Sequence, residues 1–316
     1  MTAPAVPAPV ALPVAVSVVI PTYRRPELLR RTLESCLAQQ DVAAAFEIVV
    51  VDNDAAGSAR AVVERVAAAA GVRVRYVPEP RPGISHARNT GVASAAGQYV
   101  AFIDDDEAAE PGWLAAMLAT IERSGADAVI GPVRPQFPAG QAVDAYRRGV
   151  YTRDTGLPTG TQLARWSGIG NTLLDKARCF TAEQPFDPRL GLSGGEDSLF
   201  FRQLLRRGGK LVWCAEAAVR ESIAADKLSP RYLLRRSFRS AQTLTFVCTA
   251  VRPPELRLAL FWMAVGSAQV ILYAPAALAL RALRRKNWLP AADKALGGLG
   301  KVFWHPKLHL RLYRSH

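Results

Sequence analysis

Three adjacent carboxylates, Asp104, Asp105 and Asp106, follow directly on the apolar run YVAFI. At the C-terminal end of a strand such groups repel one another unless a cation lies among them, and that edge of an open α/β sheet is where ligands bind. A hard divalent ion bridging carboxylate and diphosphate oxygens would relieve the repulsion. A solvated acidic turn with Glu107 and Glu110 would also accommodate it. Asp52 and Asp54 close a second apolar run, IVVVDND, and Pro21, Thr22 and Tyr23 close a third. If these strands are parallel, their three ends meet in one crevice of nucleotide size. Turn and helix-cap duty remains the open alternative for Asp52 and Asp54.

A second acidic pair, Glu196 and Asp197, sits behind Gly194-Gly195 and opens the helical pattern SLFFRQLLRRG. A helix N-terminus stabilises carboxylate anions, and two glycines let backbone and substrate approach closely; a plain helix cap would show the same residues. Other constellations fail. His305 and His309 have i,i+4 spacing in a basic segment without a nearby carboxylate or Cys, GGLGK lacks the spacing and Ser/Thr of a phosphate loop, and His86 has no nucleophile pattern around it.

The elements that must position these residues alternate along the chain. Strand patterns cover 14–20, 46–51, 72–77 and 99–103, and helical patterns follow the first two, so residues 14–106 read as a doubly wound α/β unit. A helix at 111–123, strands at 128–130 and 171–174, a helix at 196–207 and a strand at 210–214 complete a body that ends near 225. Residues 1–13 read as a disordered Ala/Pro leader without the basic start of a signal peptide. Four scattered cysteines, Cys36, Cys179, Cys214 and Cys248, read as reduced thiols, mostly buried.

Half of the 316 residues are hydrophobic and 21% are charged, enough apolar material for a sizeable core and too little charge for a disordered chain. Residues 1–219 carry 23 basic and 23 acidic side chains, whereas 220–316 carry 17 basic against four acidic, so the whole excess of +13 lies in the last third. There a basic amphipathic helix begins near Pro230, and residues 258–280 run uncharged between arginines. A partner both anionic and apolar is a phospholipid surface, whereas nucleic acid answers only the charge. The uncharged run is long enough to span a bilayer, but a single span would place the basic end opposite the body. Pro275 and the small residues at 266–268 favour a bent, in-plane or hairpin element with both flanks cytosolic; a buried helix of a soluble body is the alternative.

The ordered set VSVVIPTYRR, IVVVDND, RPGISHARNTGV, FIDDDE and GGEDSLFFRQLLRRG resembles the family 2 inverting glycosyltransferases over about residues 14–220. The tail with its GGLGKVF segment is similar to that of bacterial exopolysaccharide glucosyltransferases of the succinoglycan type. The resemblance implies a GT-A fold, a Rossmann-like mixed sheet binding a nucleotide-diphosphate sugar in residues 14–106 and an acceptor in 107–225, with 226–316 as a helical membrane-associating region. It implies that Pro21, Thr22, Tyr23, Asp52 and Asp54 line the nucleotide and that Arg88 and Asn89 lie beside the nucleotide-sugar site. Asp104 faces the ribose and sugar with Asp105, and Asp106, with Asp104, holds Mg²⁺ or Mn²⁺. The third aspartate leaves the main ligand open between Asp105 and Asp106. Asp197 is implied as the general base, with Glu196 as orienter or substitute, and Glu221 stands where some relatives carry a metal or diphosphate ligand. Trp166 and Trp213 are candidate sugar-stacking faces, with core packing the expected role of at least one. The implied reaction moves sugar from a donor, UDP-linked by expectation, to a lipid-linked saccharide at the cytosolic membrane face. A catalytically inactive nucleotide-sugar-binding or scaffold protein of the same fold is the alternative.

Overall fold

The computed structural model describes residues 14–166 and 168–308; the Ala/Pro leader and His309 lie outside them. Strands β1 (Val16–Thr22), β2 (Phe46–Asp52), β3 (Arg73–Pro78) and β4 (Tyr99–Phe102) pair in parallel in the order β3-β2-β1-β4. The sheet is mixed beyond them: β9 (Thr172–Asp175) runs antiparallel between β4 and β6 (Ala128–Ile130), and β10 (Leu211–Trp213) and β8 (Gln162–Leu163) complete eight strands. A smaller sheet joins β5 (Glu107–Ala109), β11 (Val219–Ser222) and β7 (Val133–Gln136).

The strands are apolar on both faces because helices cover both. Val18, Ile20, Ile48 and Val50 point into one core with α1 (Pro26–Leu37), α2 (Arg60–Ala69) and α4 (Trp113–Ser124); Val19, Val49 and Val51 point into the other with α3 (Ile84–Ser94) and α7 (Glu196–Arg206). Gly91 lets α3 lie on β1, since a Cβ there would meet Val19 at 2.4 Å. Short helices α5 (Ala145–Tyr151) and α6 (Lys176–Cys179) sit in the connections. All four cysteines are buried and none is in a disulfide.

Three helices end the described chain: α8 (Pro230–Ala250), α9 (Leu256–Ala282) and α10 (Trp288–Val302). Ser229 caps α8 by accepting from the Tyr232 N–H, and Pro230 follows at the first helical position. Pro275 lies inside α9 without breaking it, and the chain turns after α9, so α9 and α10 form a helical hairpin. It is zipped where Gly266 meets Gly298; a Cβ on either would stand 2.6 Å from the other's carbonyl oxygen. The outer face of α9 is open, with Ile271 76%, Leu278 70% and Leu260 64% exposed, so α9 is not a buried core helix. Among the described residues it is the one helix long and apolar enough to cross a membrane.

Candidate active site

Register brings the strand ends together. Thr22 pairs with Asp52 across β1 and β2, and Phe102 of β4 lies opposite Val19, so residues 103–106 run beside the end of β1. The Thr22 hydroxyl donates to Asp105 at 2.8 Å and Arg25 reaches the same carboxylate at 3.1 Å. Burial raises the Asp105 carboxyl to about 6 against the opposing pull of Arg25. Asp106 instead faces Arg25 and Lys227, each at 3.3 Å. Asp104 is the most open of the three, 3.7 Å from the Arg88 guanidinium.

A cleft of about 630 Å³ is lined by Pro21, Thr22, Tyr23, Asp54, Arg88 and all three aspartates. Two expected contributors do not face it. Asp52 is fully buried, accepting from the N–H groups of Asp54 and Ala59 at 3.0 and 2.8 Å and from the Tyr76 hydroxyl at 3.1 Å; its work is to fold the loop before α2. The Asn89 amide is spent on Phe186, donating to its carbonyl at 2.8 Å and accepting from its N–H at 3.0 Å.

The second cleft, about 850 Å³, shares Arg88, Asp104, Glu221, Asp226 and Tyr232 with the first and contains Glu196 and Asp197. Gly194 and Gly195 adopt φ of +74° and +97°, which turns the chain into α7 and sets both carboxylates on its first turn. Glu196 points inward, is 3% exposed and is ion-paired with Arg88. Burial nonetheless raises its pKa to about 7, with Arg88 opposing. Asp197 is half-buried; its Oδ1 accepts from the Ser198 N–H at 2.6 Å, and its Oδ2 accepts from none of the described residues. Of the two, Asp197 can receive a proton from a bound hydroxyl, whereas Glu196 is locked to Arg88.

Between the two clefts lie charges that the sequence reading only partly singled out, Glu107 as part of an acidic turn and Glu221 through the resemblance, but not Arg153 or Lys227. Glu107 is fully buried, accepts from the Asp104 N–H at 3.0 Å and pairs with Arg153 at 3.0 Å. Its carboxyl lies well above the ordinary range, pushed there by burial first and by Asp104 second. Arg153 also reaches Glu221 at 3.5 Å. Gly170 permits the crowding, since a Cβ there would lie 2.7 Å from Asp104 and 3.0 Å from Glu107. Glu107, read in the sequence as part of a solvated acidic turn, is instead buried; Arg153 and Lys227 carried no signal in their own neighbourhoods.

The stacking role expected of Trp213 is not available: the ring is fully buried, 5.7 Å from Trp166, and neither lines either cleft. Helix α8 turns its basic face toward the second cleft, which Arg231, Arg235, Arg236 and Arg239 line. Among the described residues no three His, Cys, Asp or Glu side chains converge as a metal cage. Asp104 and Asp106 offer hard carboxylate oxygens, and one or two such ligands completed by phosphate oxygens are what Mg²⁺ or Mn²⁺ takes, so the donor set fits such an ion.

The family described as glycosyl transferase family 2 matches residues 17–173. The succinoglycan biosynthesis protein ExoM of Rhizobium meliloti (strain 1021) is 38% identical over 225 residues, 70% of this chain and 71% of that protein. Glycosyltransferase AglE of Haloferax volcanii is 30% identical over 132 residues, 42% of this chain and 43% of that protein. The crystal structure of S. aureus TarS 1-349 with UDP superposes with a TM-score of 0.54 at 16% identity, covering 91% of this chain and 90% of that one. Its complex with UDP-GlcNAc gives 0.53 at 17% identity with the same coverage. At such identities the likeness is one of fold, the nucleotide-sugar-binding mixed sheet called GT-A.

Proposed function

We propose, since this chain belongs to glycosyltransferase family 2, that it transfers a sugar from a UDP-linked donor to a lipid-linked saccharide with inversion at the anomeric carbon. The observation that carries the reading is the shared wall of the two clefts: Asp104 at the donor side and Asp197 at the acceptor side face one continuous space across Arg88. The TarS complexes hold UDP and UDP-GlcNAc in the same fold, which supports the uridine assignment. Pro21, Thr22 and Tyr23 would bound the nucleotide, and Asp54 with Arg24, 3.3 Å apart, would close its far edge. Asp104 and Asp106 would hold Mg²⁺ or Mn²⁺, which when bound acts as a Lewis acid neutralising the leaving diphosphate.

Asp197 takes the proton of the acceptor hydroxyl through Oδ2, and the oxygen attacks the anomeric carbon opposite the departing UDP. The C–O bond to the acceptor forms as the bond to diphosphate breaks, so an α-linked donor yields a β-linkage. Arg88 holds Glu196 off the reacting groups and lies beside Asp104. Residues 14–225 form the catalytic body in this reading, and 226–316 form the membrane-associating unit whose first helix also walls the acceptor cleft. The exposed face of α9, flanked by Arg257, Arg281, Arg284 and Arg285, rests on the cytosolic leaflet, where anionic lipid meets the basic flanks. The similarity to the succinoglycan biosynthesis protein ExoM supports a product among bacterial surface or exopolysaccharides.

The test is transfer by the purified full chain from a panel of UDP-sugars to polyprenyl-diphosphate saccharides, with the new linkage read by NMR. A β-linked product from an α-donor, lost in Asp197→Asn, supports the assignment. Retention of configuration contradicts it, and binding of UDP-sugar without turnover on any acceptor supports an inactive binding protein instead.

A further inference from the structure

The basic face of α8 is aimed at the catalytic space. Arg231, Arg235 and Arg239 recur at every fourth residue and so form one stripe, with Arg236 beside it, and all four line the cleft that contains Asp197. Four guanidinium groups within three helical turns repel one another, and among the described residues none has a carboxylate ion-pair partner. Two of them are seated on neutral groups. Arg239 donates to the Ser193 carbonyl at 2.7 Å and lies against Gly194, and Arg236 donates to the Val150 carbonyl at 2.9 Å with its guanidinium 4.7 Å over the Tyr151 ring. Arg231 and Arg235 are exposed at the mouth. The five carboxylates of the same cleft do not ion-pair with the stripe: Glu196 is taken by Arg88, which Asp104 also faces, Glu221 by Arg153, Asp197 accepts from Ser198, and Asp226 bonds to none of the four.

An arginine row with no carboxylate ion-paired to it suits a phosphate, because the planar fork meets phosphate oxygens two at a time. What the phosphate belongs to follows from the other side of the helix. There the Ser237 hydroxyl donates to the Asp293 carbonyl of α10 at 3.1 Å, and Gly300 lies against Phe238 and Ala241. The helix that walls the acceptor cleft therefore also seats the α9–α10 hairpin with its exposed apolar face. We propose that the α8 stripe binds the phosphate or diphosphate of a lipid-borne acceptor, with Arg231 and Arg235 as the residues that select it. This rests on the lipid-linked acceptor of the proposed function and assigns the chain's own residues to its anionic head.

The experiment titrates the detergent-solubilised full chain, its donor cleft saturated with UDP, with geranylgeranyl diphosphate, geranylgeraniol and inorganic pyrophosphate. The diphosphate lipid is expected to bind at least tenfold more tightly than the alcohol. Arg231→Gln/Arg235→Gln is expected to lose at least tenfold of that affinity, with Arg231→Lys/Arg235→Lys between the two, and melting midpoints report the fold. Should the double variant unfold, Arg235→Gln alone carries the comparison with a severalfold loss. Equal binding of diphosphate and alcohol, or undiminished binding in the Gln variants, overturns the proposal. Pyrophosphate binding as tightly as the lipid overturns its assignment to a lipid carrier. UDP titrated alone answers for the donor site separately: UDP bound without the diphosphate lipid removes only the stripe, and the reverse removes only the donor reading.

Discussion

Replacing Arg88 by methionine keeps most of the aliphatic volume and deletes the guanidinium that neutralises Glu196 and lies 3.7 Å from Asp104. Glu196 is 3% exposed and its Oε2 has no hydrogen-bond partner, so the carboxylate left behind must stay charged without a counterion or take up a proton. Removing one member of a buried pair costs about 3–5 kcal/mol. With an unfolding entropy of about 2.1 cal/mol/K per residue, a chain of this length loses roughly 5–8 °C of melting midpoint for that cost. The pH dependence has a definite sign. The folded-state pKa of Glu196 is raised from 4.5 to about 7, burial outweighing Arg88, so its contribution to stability is complete below about 4.5 and is lost as pH rises through about 7. Without Arg88 the folded value moves higher still, and each further pH unit up to it adds about 1.4 kcal/mol, or about 2 °C. Scanning fluorimetry of wild type and Arg88→Met at pH 6, 7 and 8 should show a deficit that widens with pH, and adding Glu196→Gln should recover most of it. A midpoint change under about 2 °C at pH 8, or a deficit that narrows as pH rises, would refute the reasoning, since an uncompensated buried carboxylate can do neither.

Further predictions rest on separate observations. Asp197→Asn should lower transfer by about 10²–10⁴-fold while UDP affinity is kept, because a positioned base contributes that much and the donor cleft does not contain Asp197; single-turnover assays beside UDP titration measure both. Gly194→Ala puts a Cβ at φ +74° and 1.8 Å from the Arg239 guanidinium, so it should cost about 1–3 kcal/mol in thermal unfolding and displace the first turn of α7; unaltered stability and transfer would contradict that reading of the turn. Ile271→Glu/Leu278→Glu, at positions 76% and 70% exposed, should reduce flotation with phosphatidylglycerol vesicles several-fold without changing the melting midpoint in detergent. Undiminished flotation would remove α9 from the membrane contact.

The strands and the acidic strand end were legible because a buried parallel sheet writes itself as near-continuous β-branched runs, and a run that stops at DDD has nowhere to go but the sheet edge. The Gly-Gly-Glu-Asp turn was legible for a similar reason, since two left-handed residues before a helix need glycine. What the pattern does not carry is the direction of a side chain. Asp52 and Asp54 are two residues apart at the same strand end, yet one folds a loop and the other lines the cleft. Trp213 ends a three-residue strand buried on both faces, so its ring packs on Trp166. Arg153 and Lys227 come to the site from segments distant in the chain, and only tertiary contact sets them against Glu107 and Asp106. The basic helix near Pro230 was legible as basic and amphipathic, but not that its charged face lines the cleft that contains Glu196 and Asp197, because periodicity fixes a face and not its neighbour.

The central claim, a uridine-diphosphate donor site built on the aspartates after β4, is tested most directly by calorimetric titration of UDP into the full chain with and without Mn²⁺, for wild type and Asp106→Ala. The expected result is binding that tightens at least tenfold with Mn²⁺ in wild type and loses that dependence in the variant. Binding indifferent to Mn²⁺ and to Asp106 would contradict the metal assignment, and no binding of UDP under either condition would contradict the donor itself.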